Sequence, residues 1–231
     1  MTGRSVHDAL LRVLTSAALR ARLRDGTAGG LPSGLGAAEV AVLRTADPER
    51  LRRLARFMGR HFYRERIVRL FAGGRALARR RGQDPLDVLA GDAFGALLES
   101  AEVGSAETAD RVASLVEARL RAALAGLGYA GDLVAYEGML FRAEAGPRRW
   151  SGDGAAEGIP VRAAHTRVCA LDWDVTGLVA AVRRGDAALP EPTRQPARLL
   201  LALSPNGRVT AARCPEPVER LLAALDGRRS A

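Results

Sequence analysis

The spacing of apolar residues changes partway along this chain, and that change bounds the fold more tightly than any other feature. Up to Gly126 the apolar positions recur every three to four residues, the mark of helices with one buried face. Leu10, Val13/Leu14 and Ala17/Ala18 set that spacing over Val6–Arg24, with Ser5 placed to cap the helix and Gly26 to close it. A Gly-rich connection, 26–36, leads to a short helix over Ala37–Arg44. Asp47-Pro48-Glu49 then supplies an N-cap, a first-turn proline and an N-terminal acid for the next helix. On it Leu51, Leu54, Met58 and Phe62, then Ile67, Leu70 and Phe71, form a stripe that Gly73-Gly74 breaks. Asp84-Pro85 opens a helical stretch to about Ser100, and Ser105 begins another that carries Val112, Leu115/Val116 and Leu120.

Beyond Gly126 the pattern shortens. Asp132 is placed to cap a helix on which Leu133, Tyr136, Leu140 and Phe141 share one face, and 145–160 reads as a flexible Gly/Pro/Arg loop. His165–Asp172 then reads as a strand, Asp174–Arg184 as a helix and 188–196 as a loop. Arg198–Leu203 and Arg208–Arg213 flank Ser204-Pro205-Asn206-Gly207, a hairpin signal, and Pro215-Glu216-Pro217 opens a last helix to Leu225 that Gly227 stops. The expected architecture is therefore α+β. A helical N-terminal domain spans 1–128, and a smaller domain with a three-stranded antiparallel sheet and helices spans 129–231.

Composition narrows the chemistry. All 35 basic residues of this 231-residue chain are arginine, against 26 acidic ones, for a formal charge of +9. The absence of lysine removes the phosphate-loop lysine, Schiff-base chemistry and the kinase strand lysine. Ile occurs twice and Asn once, a bias that points to a GC-rich genome and to codon usage behind part of the arginine excess. Aromatic residues make up 4%, so aliphatic side chains are expected to carry the core. No apolar run approaches the ~18 residues of a membrane span, and the N-terminus lacks a signal-peptide core. With two cysteines, Cys169 and Cys214, too few for a disulfide scaffold, a soluble cytoplasmic protein is expected.

The search for catalytic groups is mostly negative. His7, His61 and His165 show no metal-ligand spacing, and His165 and Cys169 on one strand would lie ~13 Å apart. Asp172 and Asp174 bracket Trp173, where Asp174 caps the following helix more simply than it forms an acid pair. Cys169 and Cys214 fall on strands that could be neighbours. Arginines are dense, however. Arg53, Arg56, Arg60 and Arg64 fall on one helical face, and Arg75, Arg79, Arg80 and Arg81 follow. Such a face fits nucleic-acid phosphates, an acidic protein surface, or plain solvation. The last strand, Arg208, Val209, Thr210, Ala211, Ala212 and Arg213, is short and weakly patterned, as an edge strand open to peptide addition can be.

Gly131-Asp132-Leu133-Val134-Ala135-Tyr136-Glu137, Val168–Val175 with its following helix, the Leu199–Leu203/Arg208–Arg213 hairpin and Leu221–Gly227 succeed one another in a telling order. With His61-Phe62-Tyr63-Arg64 in the long helix, the chain resembles the partner proteins of multinuclear iron-dependent oxidases in ribosomal-peptide pathways of the methanobactin-cassette type. The resemblance implies a non-catalytic subunit with no cofactor of its own. It would form a heterodimer with a TIM-barrel oxidase that holds the iron. Its C-terminal domain would be a peptide-recognition element that takes the precursor's leader as an added strand. The resemblance further implies that Glu137 is a buried or interface acid holding the domains together, with Arg53, Arg56, Arg60 and Arg64 docking the oxidase or an acidic leader. A DNA-binding regulator using the arginine face stands as the alternative.

Overall fold

The structure, a computed structural model, describes residues 2–26, 37–145, 166–204 and 208–225. Most of the connection 26–36, the stretch 146–160, His165, the turn 205–207 and Gly227 lie outside the described residues.

The expected first helix is two. α1 (Thr2–Thr15) and α2 (Ala17–Arg24) meet at Ser16, and Ser5 lies within α1 rather than capping it. Ser16 has extended backbone, its hydroxyl accepts from the Leu19 N–H at 3.2 Å, and it donates to Glu102 Oε1 at 2.6 Å. A side chain that caps one helix while pairing with a distant loop fixes a break that helical spacing alone does not signal.

α3 (Ala37–Thr45) precedes α4 (Pro48–Leu70), which Asp47 caps by accepting from the Glu49 N–H at 2.9 Å. The chain then turns at Phe71 into α5 (Ala72–Arg80), so Gly73-Gly74 lie in the first turn of α5 instead of separating two helices. The stretch expected to run unbroken to Ser100 is a 3-10 turn over Pro85–Leu89 and a helix, α6 (Asp92–Glu99), divided at Ala90-Gly91. α7 (Ala106–Ala123) is capped by Ser105, whose hydroxyl accepts from the Thr108 N–H at 3.1 Å.

α8 (Ala130–Ala145) is the centre of the molecule. Leu133, Val134, Tyr136, Leu140 and Phe141 are all buried, and the helix packs on α4, α5, α7 and the sheet. A helix apolar on most of its circumference belongs inside. The core runs without interruption from Tyr63 through Phe141 to Leu201. The few aromatic residues concentrate there: the Phe141 ring lies 6.2 Å from Tyr63 and 5.6 Å from Phe71, with Phe94 6.5 Å from Tyr63 on its far side. Asp132 lies in the first turn of α8 and does not cap it.

The sheet is antiparallel in the order β1 (Arg167–Asp174), β2 (Thr193–Leu203), β3 (Val209–Arg213). α9 (Thr176–Arg184) links β1 to β2, and Asp174 accepts from the Thr176 N–H at 3.0 Å at its start. α10 (Glu216–Ala224) closes the described chain. β2 begins five residues before the expected Arg198, taking in part of what reads as a loop. Pro196 misleads there, because a proline N cannot donate to a ladder. The register explains its place: Leu171 pairs with Ala197 but Trp173 with Arg194, so Gln195 and Pro196 together face Asp172 across a bulge. The Asp172 and Trp173 N–H groups at that bulge donate to Asp132 Oδ2 at 2.7 and 2.8 Å. Asp132 thus ties α8 to β1.

Candidate functional site

β3 pairs with β2 on one side, and among the described residues no strand lies on its other side. The Ser204 N–H donates to the Arg208 carbonyl and the Cys214 N–H to the Arg198 carbonyl, both at 2.8 Å. Backbone direction alternates along an antiparallel strand, so Arg208, Thr210, Ala212 and Cys214 turn their main chain toward β2. Val209, Ala211 and Arg213 turn theirs outward. Their side chains share the sheet face of Leu199 and Leu201, the face packed on α8. Ala211 and Arg213 nonetheless stay exposed, because β3 overhangs the helix rather than resting on it.

The overhang makes a groove. Its floor is one row of α8, Tyr136, Leu140 and Glu144, spaced i, i+4 and i+8. Tyr136 lines a cavity of about 280 Å³ with Leu171, Trp173, Leu199, Ala211 and Arg213. Leu140 and Glu144 line a second, of about 350 Å³, with Arg69, Arg183, Arg208 and Val209. Trp173 is set against Tyr129, ring centres 6.1 Å apart. The phenol of Tyr136 is shifted up by burial. Of these residues the sequence singles out the β3 stretch by its pattern, and Tyr136 and Leu140 as one face of a helix. Glu144, Arg69, Arg183 and the groove-lining role of Trp173 carry no sequence signal, since what joins them is tertiary.

Glu137, seven residues before Glu144 on α8, is fully buried. Its two carboxylate oxygens accept from the Gly73 and Gly74 N–H groups at 2.7 and 2.9 Å. Those are unpaired donors of the first turn of α5, where a negative charge is also favoured by the helix dipole. A Cβ at Gly73 or Gly74 would stand 3.1 or 3.0 Å from the carboxylate, which is why this helix opens on two glycines. Burial nevertheless pushes the Glu137 carboxyl up to about 8, against the opposing pull of the Gly74 and Gly73 N–H groups and Arg183. Being enclosed, Glu137 lies on no docking surface; it joins α8 to α5.

The arginine face divides likewise. Arg53, Arg60 and Arg64 of α4 are exposed, whereas Arg56 is half-buried and paired with Glu99 of α6. Interleaved with the exposed arginines stand Leu54 and Phe57, the latter 70% exposed, and further along Val68. In the following cluster Arg79 pairs with Asp84 at 3.1 Å, and Arg81 donates to the Ala123 and Ala125 carbonyls at the end of α7. Those two serve the fold.

Cys169 and Cys214 are both buried and free. They do not sit on neighbouring strands, since Cys169 faces Leu199 of β2 and Cys214 follows β3 beyond it. Burial pushes the Cys169 thiol up to about 11, away from thiolate chemistry. Among the described residues no group of three His, Cys, Asp or Glu side chains comes together, and no helix is long and apolar enough to cross a membrane. The chain matches no protein-family model and no curated protein.

Proposed function

We propose that this chain is a non-catalytic partner subunit that binds the leader of a ribosomally made precursor peptide by strand addition to β3. It presents the peptide to an iron-dependent oxidase, the iron belonging to that TIM-barrel partner. One observation carries the reading: three outward-facing backbone positions, Val209, Ala211 and Arg213, stand over a groove floored by α8. Main-chain bonds along such an edge give affinity, and cavities beneath it give selectivity. The helix and sheet of this half would then act as the recognition element that the motif resemblance implies, in a cytoplasmic heterodimer. The oxidase would dock on the exposed side of α4 through Arg53, Arg60 and Arg64 with Leu54 and Phe57. Mixed basic and apolar character suits a protein surface better than a phosphate backbone.

The test is fluorescence polarisation with the labelled leader of a precursor encoded beside the chain. Val209→Pro and Ala211→Pro each remove an outward N–H and are expected to weaken binding about tenfold or more while the circular dichroism melt is kept. Thr210→Pro instead removes a donor facing β2 and is expected to lower stability. Wild-type affinity in both folded outward-facing variants would rule out addition at β3. Tight binding of duplex DNA in place of the leader, falling steeply as salt rises, would favour a regulator.

A further inference from the structure

The cavity beneath Val209 continues past the edge of the sheet. Arg69 and Glu144, joined across α4 and α8 by a two-pronged pair with one bond of 2.6 Å, line that cavity and also a wider depression of about 650 Å³. His61, Arg64, Glu65 and Val68 form the α4 wall of the depression, spaced i, i+3, i+4 and i+7. All four are exposed, and Arg53, Leu54, Phe57 and Arg60 continue the same outward side toward the start of the helix. The buried residues of α4, Leu51, Ala55, Tyr63 and Ile67 among them, lie on its other side. The depression carries charges of both signs, several of them matched within it. His61 stands 3.6 Å from Glu65, and Arg66 donates to the Phe62 carbonyl at 2.9 Å with its guanidinium 3.5 Å over the Phe62 ring.

Resting on strand addition as the mode of binding, we infer that the peptide leaves β3 at its Val209 end, crosses the Arg69–Glu144 pair and runs extended along the outward side of α4. The occupant of the depression is the stretch of the same precursor that joins the leader to its core. Continuity supports this path: two residues line both hollows, and the second opens on the side of α4 where the oxidase would dock. The opposite exit, past Arg213, opens on Gln195 near the start of β2, with no residue of α4 in its lining. Helix geometry then sets a length. From Arg69 back to His61 is about 12 Å and back to Phe57 about 18 Å, which an extended chain covers in about four and about six residues. With acids and bases both in its walls, the depression asks the joining stretch for that length more than for one charge. About six extended residues therefore separate the strand-adding segment from the part of the peptide that enters the oxidase.

Disulfide capture tests the path, using the labelled leader extended by its natural core-side residues and carrying one cysteine that is moved position by position. Val68→Cys and His61→Cys replace exposed side chains of the depression, and Gln195→Cys marks the opposite exit. Wild type, whose Cys169 and Cys214 are buried, sets the background. A disulfide forms only where the two Cα atoms come within about 4.4–6.8 Å, so capture reads position. Val68→Cys is expected to capture the first core-side positions and His61→Cys those about three residues further on, each about fivefold or more above wild type. Capture of the core side by Gln195→Cys in their place would overturn the inference. So would capture by Val68→Cys with none at His61→Cys, or with the order reversed, since the chain would then cross α4 instead of following it. If Ala211→Pro weakens leader binding yet neither α4 cysteine is reached, the path is overturned and strand addition survives. If Ala211→Pro binds the leader as wild type, strand addition itself falls.

Discussion

A carboxyl group held away from water at 0% exposure has to be neutral or fully matched, and Glu137 is a contest between the two. Its matching partners are two main-chain donors at a helix start, which favour the anion; its enclosure favours the acid and prevails, setting the group near 8 against an ordinary 4.5. The consequence for stability has a definite sign. Between those values the folded chain keeps a proton that the unfolded chain has released, so rising pH favours unfolding. The stabilisation from this group is present below about 4.5 and is lost as pH climbs through about 8, by roughly 1.4 kcal/mol per pH unit at most. Thermal melts from pH 5 to 8.5 are therefore expected to show wild type losing stability relative to Glu137→Gln as pH rises. Parallel curves for the two proteins would show that the carboxyl is already ionised throughout. The Glu137→Gln change is not silent at low pH, since an amide offers one acceptor to two N–H donors and costs about 1–3 kcal/mol.

At the scale of the element, α8 holds the fold through polar ties that leave in four directions. Asp132 reaches β1, Glu137 the start of α5, Arg142 the buried Glu117 of α7, and Glu144 the Arg69 of α4. Helix α7 lies close enough that a Cβ on Gly138 would land on the Glu117 carboxylate and crowd Arg142. Gly138→Ala must push Glu117 off its buried partner, and a loss of about 2–4 kcal/mol is expected in urea unfolding. Asp132→Ala is expected to cost about 1–2 kcal/mol, because two N–H groups at the bulge, one exposed and one half-buried, lose their acceptor. Asp132→Asn should be nearly neutral, since both bonds end on one oxygen, Oδ2, that an amide carbonyl can replace. Equal losses from both substitutions would assign the effect to charge instead. Local devices of this kind were legible when both partners lay within a few residues: the caps at Asp47, Asp84 and Ser105 and the pairing of β2 with β3 all read directly. Those whose partner lies 86 residues away, as for Ser16, or 40, as for Asp132, leave no local trace. The exposed strand β3 belongs to the first kind, while the α8 row beneath it reads as ordinary core spacing until the overhang of β3 is seen.

Across the whole molecule, a formal charge of +9 describes the composition better than it describes the surface. Arg56, Arg69, Arg79 and Arg142 are drawn into ion pairs between elements, and Arg81 into capping α7. What α4 shows outward is a narrower feature, Arg53, Arg60 and Arg64 around Leu54 and Phe57. The same helix ends at the groove, where Arg69 lines the cavity beside Val209, and Phe57 lies about 18 Å back along its axis, at 1.5 Å per residue. A partner seated on α4 would therefore stand within reach of a peptide lying along β3, an arrangement that suits presentation to a second active site. Phe57→Ser removes the apolar anchor, and Arg53→Glu with Arg64→Glu reverses the flanking charge. Both are expected to weaken co-purification with an oxidase encoded beside this chain, while folding stability shifts by no more than ~0.5 kcal/mol because these side chains face solvent. Salt separates the two contributions: the loss from the arginine variants should shrink as ionic strength rises, and that from Phe57→Ser should persist. Leader binding measured in the absence of the oxidase should be unchanged in all of them. An oxidase complex that survives both sets of changes would place its docking surface elsewhere, and leave the outward side of α4 as a solvated face.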